Sequence, residues 1–579
     1  MKNLEIAAIF YEMADILELQ NVKWKPEAYR KAARQIETLS TPIEEVYEKG
    51  GIKALTEIPG VGEKLAKKIE EYIKTGKIKE HERLKGEIPK GLNELINLPG
   101  LGPKKALKLY KELSIDSIEK LEKAAREGKI AKIEGFGEKS EENILKTIEL
   151  AKKKEERLLL GVALPIAEEI VNELKKAKGV RRIEIAGSLR RRKETVGDID
   201  ILAEIEGERS DIMDRFVSLH NVKEVIAKGP KKSMILIGEG EYQIQVDLRI
   251  IERESFGAAL QYFTGNKDHN IELRKIAIQK GWKLNEYGIF DKQGRMVAGE
   301  NEEEVYKKLG MEWMPPELRE NQGEIKAAIE NKLPNLVELS DIKGDLHMHT
   351  DWSDGINSIE EMINAAINMG YEYICISDHS KSQRIANGMD EERMLKQIEI
   401  IKEMKRKYKG KITVLQGCEV DIKPDGSLDF EDEILKKLDI VSVSVHSRFK
   451  SSKEEMTKRI ARALENKYVK ILNHPTGRLI NEREPYEVDL EYLMQICRDR
   501  KIAMEINSSP SRLDLNDIYA RKAKEMGVKL VIDTDSHSVD HLRYIQYGVW
   551  VARRGWCEKE DILNTQSIEK LKKSLNLKI

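Results

Sequence analysis

GDLHMHTDWSD, residues 344–354, closes a short alternating run with two imidazoles and a carboxylate, and its reading decides the fold of the C-terminal half. His347 and His349 stand two apart on an extended segment, so both rings leave the same face. The ending recurs down the chain: ICISDH (374–379) stops at His379, VLQGCE (414–419) at Glu419, IVSVSVH (440–446) at His446, ILNHP (471–475) at His474, and LVIDTDSH (530–537) at Asp535 and His537. Asp354 completes the set. Apolar, β-branched runs of strand length alternating with helical stretches are the pattern of buried parallel strands, and in α/β barrels the chemistry gathers at the strand C-termini. A single histidine is most often an ordinary core or surface residue. Here seven of the 10 His fall after residue 340, and the strand-end placement describes a multinuclear metal cup.

This constellation resembles the polymerase and histidinol phosphatase (PHP) domain over 341–579. The resemblance implies a (β/α)7 barrel holding up to three ions of zinc, manganese or iron. One would be held by His347, His349, Glu419 and Asp535, a second by Glu419, His446 and His474, and a third by Asp354, His379 and His537. The implied chemistry is metal-assisted phosphoester hydrolysis: a 3'-5' exonuclease, with AP endonuclease or 3'-phosphatase activity as companions.

With 579 residues the chain should contain three or more domains. Lys and Arg (101) balance Asp and Glu (102), so the net charge of -1 excludes a uniformly basic coat and any nucleic-acid contact must come from local patches. The four cysteines (375, 418, 497 and 557) form no CxxC and read as buried thiols of a reducing compartment. No apolar run approaches membrane-spanning length and no signal peptide opens the chain, so the expectation is cytoplasmic, with no membrane partner. A charged fraction of 35%, dominated by Lys and Glu, is a thermophile's pattern.

The N-terminal third is helical by period and carries a threefold near-repeat, IPGVGEKLAKKIEEYI (58–73), LPGLGPKKALKLYKEL (98–113) and IEGFGEKSEENILKTI (133–148). Each places a Gly-x-Gly turn (Gly60 and Gly62, Gly100 and Gly102, Gly135 and Gly137) before a lysine-bearing helix. Glycine lets backbone N–H groups approach a phosphate, and the helix N-terminus adds its positive dipole end. One such turn is explained equally well as a helix cap. Three copies are similar to the helix-hairpin-helix pattern, which grips the DNA backbone without reading sequence.

IEIAGSLRRRKETVGDIDILAEI (183–205) reads as a strand, a Gly-Ser turn with a basic cluster, and a second strand. Asp198 and Asp200 project from one face of that strand, and YQIQVDLRI (242–250) supplies Asp247 from another. Three clustered carboxylates need cations, and the oxygen donors point to Mg2+ or Mn2+. Over about 1–315 the chain resembles DNA polymerase family X. The resemblance assigns Asp198, Asp200 and Asp247 to the catalytic metals, and Gly187, Ser188 and Arg191 to the dNTP triphosphate. Tyr262, Phe263 and Gly265 of the YFTG turn would meet the nucleotide's sugar and base. Asn270 and Arg274 would face the nascent base pair. Two departures stand out: Asn266 where serine is commoner, and Gln245 where the beta enzyme has an arginine that hydrogen-bonds a catalytic carboxylate. NVKWKPEAYRKAARQIE (21–37) with the first hairpin resembles that enzyme's small lyase domain, where Lys25, Tyr29 and Lys64 match DNA-binding positions and Lys68 matches the Schiff-base lysine.

The expected organisation is a multidomain α/β protein. Residues 1–80 form a helical 5'-phosphate-binding, lyase-like module, 81–155 a helix-hairpin-helix fingers-like module, 156–240 a nucleotidyltransferase palm, and 241–315 the rest of the palm with a nucleotide-selecting subdomain. A linker at 316–340 leads to the barrel. The expected activity is gap filling on gapped or nicked DNA in base excision repair, by a monomer. The rivals are a repair nuclease with weak polymerase activity and a DNA-end scaffold.

Overall fold

The computed structural model describes residues 2–19, 22, 25–37, 43–58, 60–86, 95, 101, 103–133, 135–137, 141, 144, 145, 148, 157–207, 210–239 and 242–577. Among these, no helix is long and apolar enough to cross a membrane.

Helices Lys2–Leu19, Lys25–Glu37, Ile43–Thr56 and Glu63–Thr75 bury their apolar stripes around Ile6, Phe10, Ile36 and Ile69. Helices Pro103–Leu113 and Ile118–Arg126 form a second small core around Leu109, Leu121, Ile130 and Phe136. Each core lies beside a hairpin glycine pair. The helix Glu63–Thr75 begins after Gly62 and stops at Gly76, whose left-handed φ of 72° lets its N–H reach the Tyr72 carbonyl. Gly100 and Gly102 lie outside the described residues.

A five-stranded sheet follows, in the order Val180–Ile185, Asp198–Ile205, Tyr242–Ile250, Lys232–Glu239, Val222–Lys228. Its central pair, Asp198–Ile205 with Tyr242–Ile250, is parallel, and its other neighbours are antiparallel. Along Asp198–Ile205, alternation sends Ile199 and Ile201 into the core beneath helix Leu160–Leu174 and leaves Asp198 and Asp200 on the opposite face. The expected Gly-Ser turn is a four-residue helix, Gly187–Arg190. Helices Phe256–Thr264 and Lys267–Gln279, a three-stranded sheet and helix Glu302–Leu309 then build a separate subdomain around Leu273, Ile289, Val305 and Tyr306.

The segment expected as a linker, 316–340, joins this subdomain to the barrel but is folded, with helix Glu324–Ile329 and fully buried Arg319 and Glu324. Its buried charged side chains are paired. Arg319 donates to Glu302 and to the Met314 carbonyl, and Glu324 meets His269 at 2.7 Å. Prolines and polar residues imitate a loose connector in composition, whereas paired burial removes their need for water.

Seven strands, Gly344–Met348, Tyr373–Ile376, Thr413–Asp421, Ile440–Ser444, Val469–Leu472, Ala503–Asn507 and Leu530–Asp533, form one parallel sheet in sequence order. The first and last meet through a single bridge, Met348 to Ser536, and through hydrogen bonds from Leu346 N to Asp533 and Thr534 N to Asp345. The barrel is therefore nearly closed. Helices between the strands start at built N-caps, such as the capping boxes of Ser358 with Glu361 and Ser452 with Glu455. Palm and barrel share one continuous apolar core, in which Leu164 and Val171 of the palm belong with Tyr547 and Val551 of the barrel.

Candidate active sites

Every barrel ligand expected from sequence lies at one rim. Three compact groupings form there: His349, Asp354, His379 and His537; His347, His349 and Asp535; and His379, Glu419 and His446. Asp535 thus sits with His347 and His349, and Asp354 with His379 and His537. The structure also turns His379 toward Glu419, with Nδ1 to Oε2 at 2.9 Å, and turns His349 toward Asp354. His474 Nε2 reaches Glu419 Oε1 at 2.8 Å. Glu419 is the hub: His347, His349, His379, His446 and His474 all approach one of its two oxygens within 3.6 Å.

The cup's own atoms test whether metals fit. His349 Nδ1 and His474 Nδ1 are buried without a hydrogen-bond partner, and His379 Nδ1 and Glu419 Oε2 lie 2.9 Å apart without the alignment of a hydrogen bond. His347 Nε2 and His349 Nε2 face each other at 3.1 Å. Two imidazole nitrogens in that relation need a proton or a cation between them. Burial alone would raise the Glu419 carboxyl, but His379, His347 and His446 hold it well below the usual range. Burial, then His379 and His537, pushes His349 down to about 3, which keeps it neutral as a ligand must be. His474 (φ 24°) and Asp535 (φ 53°) hold left-handed backbones, conformations that persist where the surroundings enforce them. Mixed imidazole and carboxylate donors suit zinc, manganese or iron.

An outer layer orients these ligands. Glu505 Oε1 takes His347 Nδ1 at 2.6 Å, and its Oε2 accepts from His474 N at 2.6 Å. Asp421 lies 3.2 Å from His446 Nδ1, and the Asp535 carbonyl 2.8 Å from His537 Nδ1. Asp378 accepts from Thr350 N and Oγ1 and from Gln397, bracing the loop that carries Asp354. Sequence reading missed these. Their only signal was a carboxylate beside or within an apolar strand run, as in AMEIN (503–507).

In the palm, parallel pairing sets Asp200 opposite Asp247 and Asp198 opposite Gln245. Burial, then Asp198 and Asp247, pushes the Asp200 carboxyl up to about 7. Two like charges beside a buried carboxylate disfavour its ionised form unless a cation offsets them. Gly187, at φ 65°, packs so closely that a Cβ there would lie 2.8 Å from Asp200 Oδ2. Gln245 stands where the beta enzyme has arginine, yet its Nε2 still donates to Asp247 Oδ1 at 2.8 Å, while Lys232 and Arg249 approach Oδ2. Ser188 lies in the short helix that starts at Gly187.

Tyr262 and Phe263 meet edge to face at 5.2 Å, and Arg249 lies over Phe263. Asn270 is buried, accepting from Gln261 Nε2 and donating to the Tyr262 carbonyl, and Arg274 donates to the Asn270 carbonyl. Arg191 donates to Glu320 at 2.9 Å and to the Thr264 carbonyl. A buried cluster absent from the sequence reading braces the region: Glu302 receives both Arg190 and Arg319.

In the two helical modules, Gly60 (φ 87°) and Gly135 (φ 85°) adopt the left-handed turn expected of hairpins, and Gly62 and Gly137 follow them. Lys25 and Lys64 are exposed, and Tyr29 is buried against Phe10. Lys68 is paired with Glu80, and its neighbour Lys67 with Glu63 at 2.8 Å.

Comparison with known proteins meets this geometry. The chain matches a helix-hairpin-helix domain over 1–78, a SAM-like helix-hairpin-helix tandem over 92–150, the DNA polymerase beta thumb over 259–320 and the PHP domain over 345–509. It is 39% identical to the DNA polymerase/3'-5' exonuclease PolX of Bacillus subtilis (strain 168) across 98% of both chains. Over 40% of its length it is 31% identical to a probable phosphatase of Thermoanaerobacter sp. (strain X514), covering 94% of that protein, and to one of Caldanaerobacter subterraneus subsp. tengcongensis, covering 91%.

Proposed function

The chain belongs to the family X DNA polymerases that carry a 3'-5' exonuclease, and we propose that it fills short gaps during DNA repair at the palm and trims 3' ends in the barrel. The observation that carries the polymerase half is Asp247 standing opposite Asp200 in the sheet's parallel pair. Asp198, Asp200 and Asp247 would hold Mg2+ or Mn2+, and the nine barrel ligands zinc, manganese or iron. Bound there, such ions supply Lewis-acid stabilisation of the phosphoryl oxygens. The chain itself supplies position. Gln245 and Lys232 fix Asp247, the YFTG turn with Arg249 behind Phe263 forms a nucleotide wall, and Glu505 and Asp421 fix the ring planes of His347 and His446.

The substrates of this reading are dNTPs and gapped or nicked DNA, with the hairpins at Gly60 and Gly135 on the backbone and Lys25, Lys64 and Lys68 on a 5'-phosphate. A lyase role for Lys68 requires Glu80 to release its ammonium group first. The barrel's likeness to two probable phosphatases favours 3'-phosphatase activity beside the exonuclease. All four cysteines are free and buried, which supports a reducing cytoplasm.

The test is extension and degradation of a primer on one-nucleotide gapped DNA, in Mg2+ and in Mn2+, with and without dNTP. Asp247→Asn should lower extension at least ~100-fold, the scale of losing one positioned charge, and spare degradation. Glu419→Ala should do the reverse. Extension by Asp247→Asn near the unsubstituted rate would refute the palm assignment.

A further inference from the structure

Arg191 is not free to meet a triphosphate in this structure. Its Nε donates to Glu320 Oε1 at 2.9 Å, and its Nη1 to the carbonyl of Thr264, the last residue of helix Phe256–Thr264. The other Glu320 oxygen accepts from Asn266 Nδ2 at 3.0 Å, the position where this chain departs from the commoner serine. Arg554, from the barrel helix Ile545–Arg554, donates to Glu320 Oε1 at 3.2 Å and to the backbone carbonyl of Arg191 at 2.9 Å. The rest of Arg554 is held by Asp517 of the barrel. All three central side chains are largely buried, at 12% exposure for Arg191, 14% for Glu320 and 4% for Arg554.

One carboxylate oxygen is thus shared by two guanidiniums, one from each catalytic unit. Neighbouring Glu302 is already satisfied by Arg190 and Arg319, so Glu320 is the carboxylate that holds Arg191. A triphosphate presents the same kind of anionic oxygen to the same guanidinium, so the two compete. The stronger the resident contact, the smaller the competent fraction and the weaker the apparent affinity. Arg554 draws on the same oxygen and therefore weakens the resident contact.

We propose that Glu320 is a positioning residue that competes with the incoming triphosphate for Arg191, and that Arg554 of the barrel sets the strength of that competition. The proposal rests on Arg191 being a triphosphate ligand. It makes the barrel a determinant of nucleotide affinity at the palm, independent of the barrel's own metals.

The experiment measures KM for dNTP, kcat and inhibition by inorganic tripolyphosphate on gapped DNA with the full-length protein. Glu320→Gln should lower KM roughly fivefold, keep kcat within about twofold and lower the inhibitory tripolyphosphate concentration to match, as expected for partial removal of one charge-assisted contact. Arg554→Met with Asp517→Asn removes both charges of the barrel pair, leaves Arg191 as the one guanidinium on Glu320, and should raise KM by a similar factor. In Glu320→Gln with Arg191→Ala the gain must vanish. A gain that survives the loss of Arg191 would reduce the effect to general charge and overturn the proposal, as would an unchanged KM in Glu320→Gln. Arg191→Ala alone separates the premise. If it leaves KM unaltered, the triphosphate assignment fails; if it raises KM while Glu320→Gln changes nothing, only the competition fails.

Discussion

Asp200 shows how burial and like charge act on a single residue. Its carboxyl titrates near 7 in the fold against a usual 3.8, chiefly from burial and then from Asp198 and Asp247. The folded protein holds that proton more tightly than the unfolded chain. The stabilisation is therefore full below about pH 4 and is lost as pH rises to about 7, a change of at most ~4 kcal/mol. With EDTA present, Asp200→Asn should raise the melting temperature at pH 8 and leave it nearly unchanged at pH 4. An equal effect at both pH values would remove the electrostatic cause. Glu505 makes the complementary case in the barrel, since it touches His347 and the His474 backbone while standing behind the donor set. Glu505→Gln should weaken metal binding by roughly 10- to 100-fold, measured by competition with a chelating dye, because the single amide oxygen cannot accept from both His347 Nδ1 and the His474 N–H. Retained affinity would demote Glu505 to packing.

At the scale of elements, the grouping of the barrel imidazoles and carboxylates was legible because most of them stand where an apolar strand run stops, and alternation fixes the face of His347 with His349. The Asp198 and Asp200 pair was legible for the same reason. Glu505 was not, because a carboxylate inside a strand looks the same whether it faces a ligand or a surface partner. Residues 316–340 misled in the other direction, since their prolines and charges are those of a connector and only pairings such as Arg319 with Glu302 make them a folded brace. The hairpins lie between these cases. Gly60 and Gly135 turn out to need positive φ, and at Gly60 a Cβ would also meet the Lys31 side chain at 3.0 Å. Valine at both positions forces a β-branched residue into the left-handed region, costing about 1–2 kcal/mol per turn. DNA affinity should fall about tenfold in a salt titration, with a shallower dependence on salt as phosphate contacts are lost. An unchanged salt slope would assign these turns to packing alone.

At the scale of the whole molecule, the two catalytic units behave as one because polar and apolar contacts close the same seam. Arg478 of the barrel pairs with Glu194 of the palm at 2.7 Å, and Arg192 lies over the Trp550 ring at 4.2 Å. The Arg554 to Glu320 contact spans 234 positions, which is why no local pattern announced it. Gly161 marks a close approach, where a Cβ would fall 2.5 Å from Pro510 Cβ on the barrel and near the Tyr547 ring. A larger residue there cannot be absorbed by a flexible tip, because proline is rigid and the palm helix is anchored by its buried face. Gly161→Val should therefore cost about 1–3 kcal/mol through overpacking at the seam. Because palm and barrel share one apolar core, the cost falls where that core crosses the seam. In calorimetry the palm and barrel transitions of Gly161→Val should separate by several degrees more than in the unsubstituted protein, and KM for dNTP should shift because Arg554 moves relative to Glu320. A variant whose transitions and KM both match the parent would show that the seam tolerates the side chain and that palm and barrel are not coupled through it.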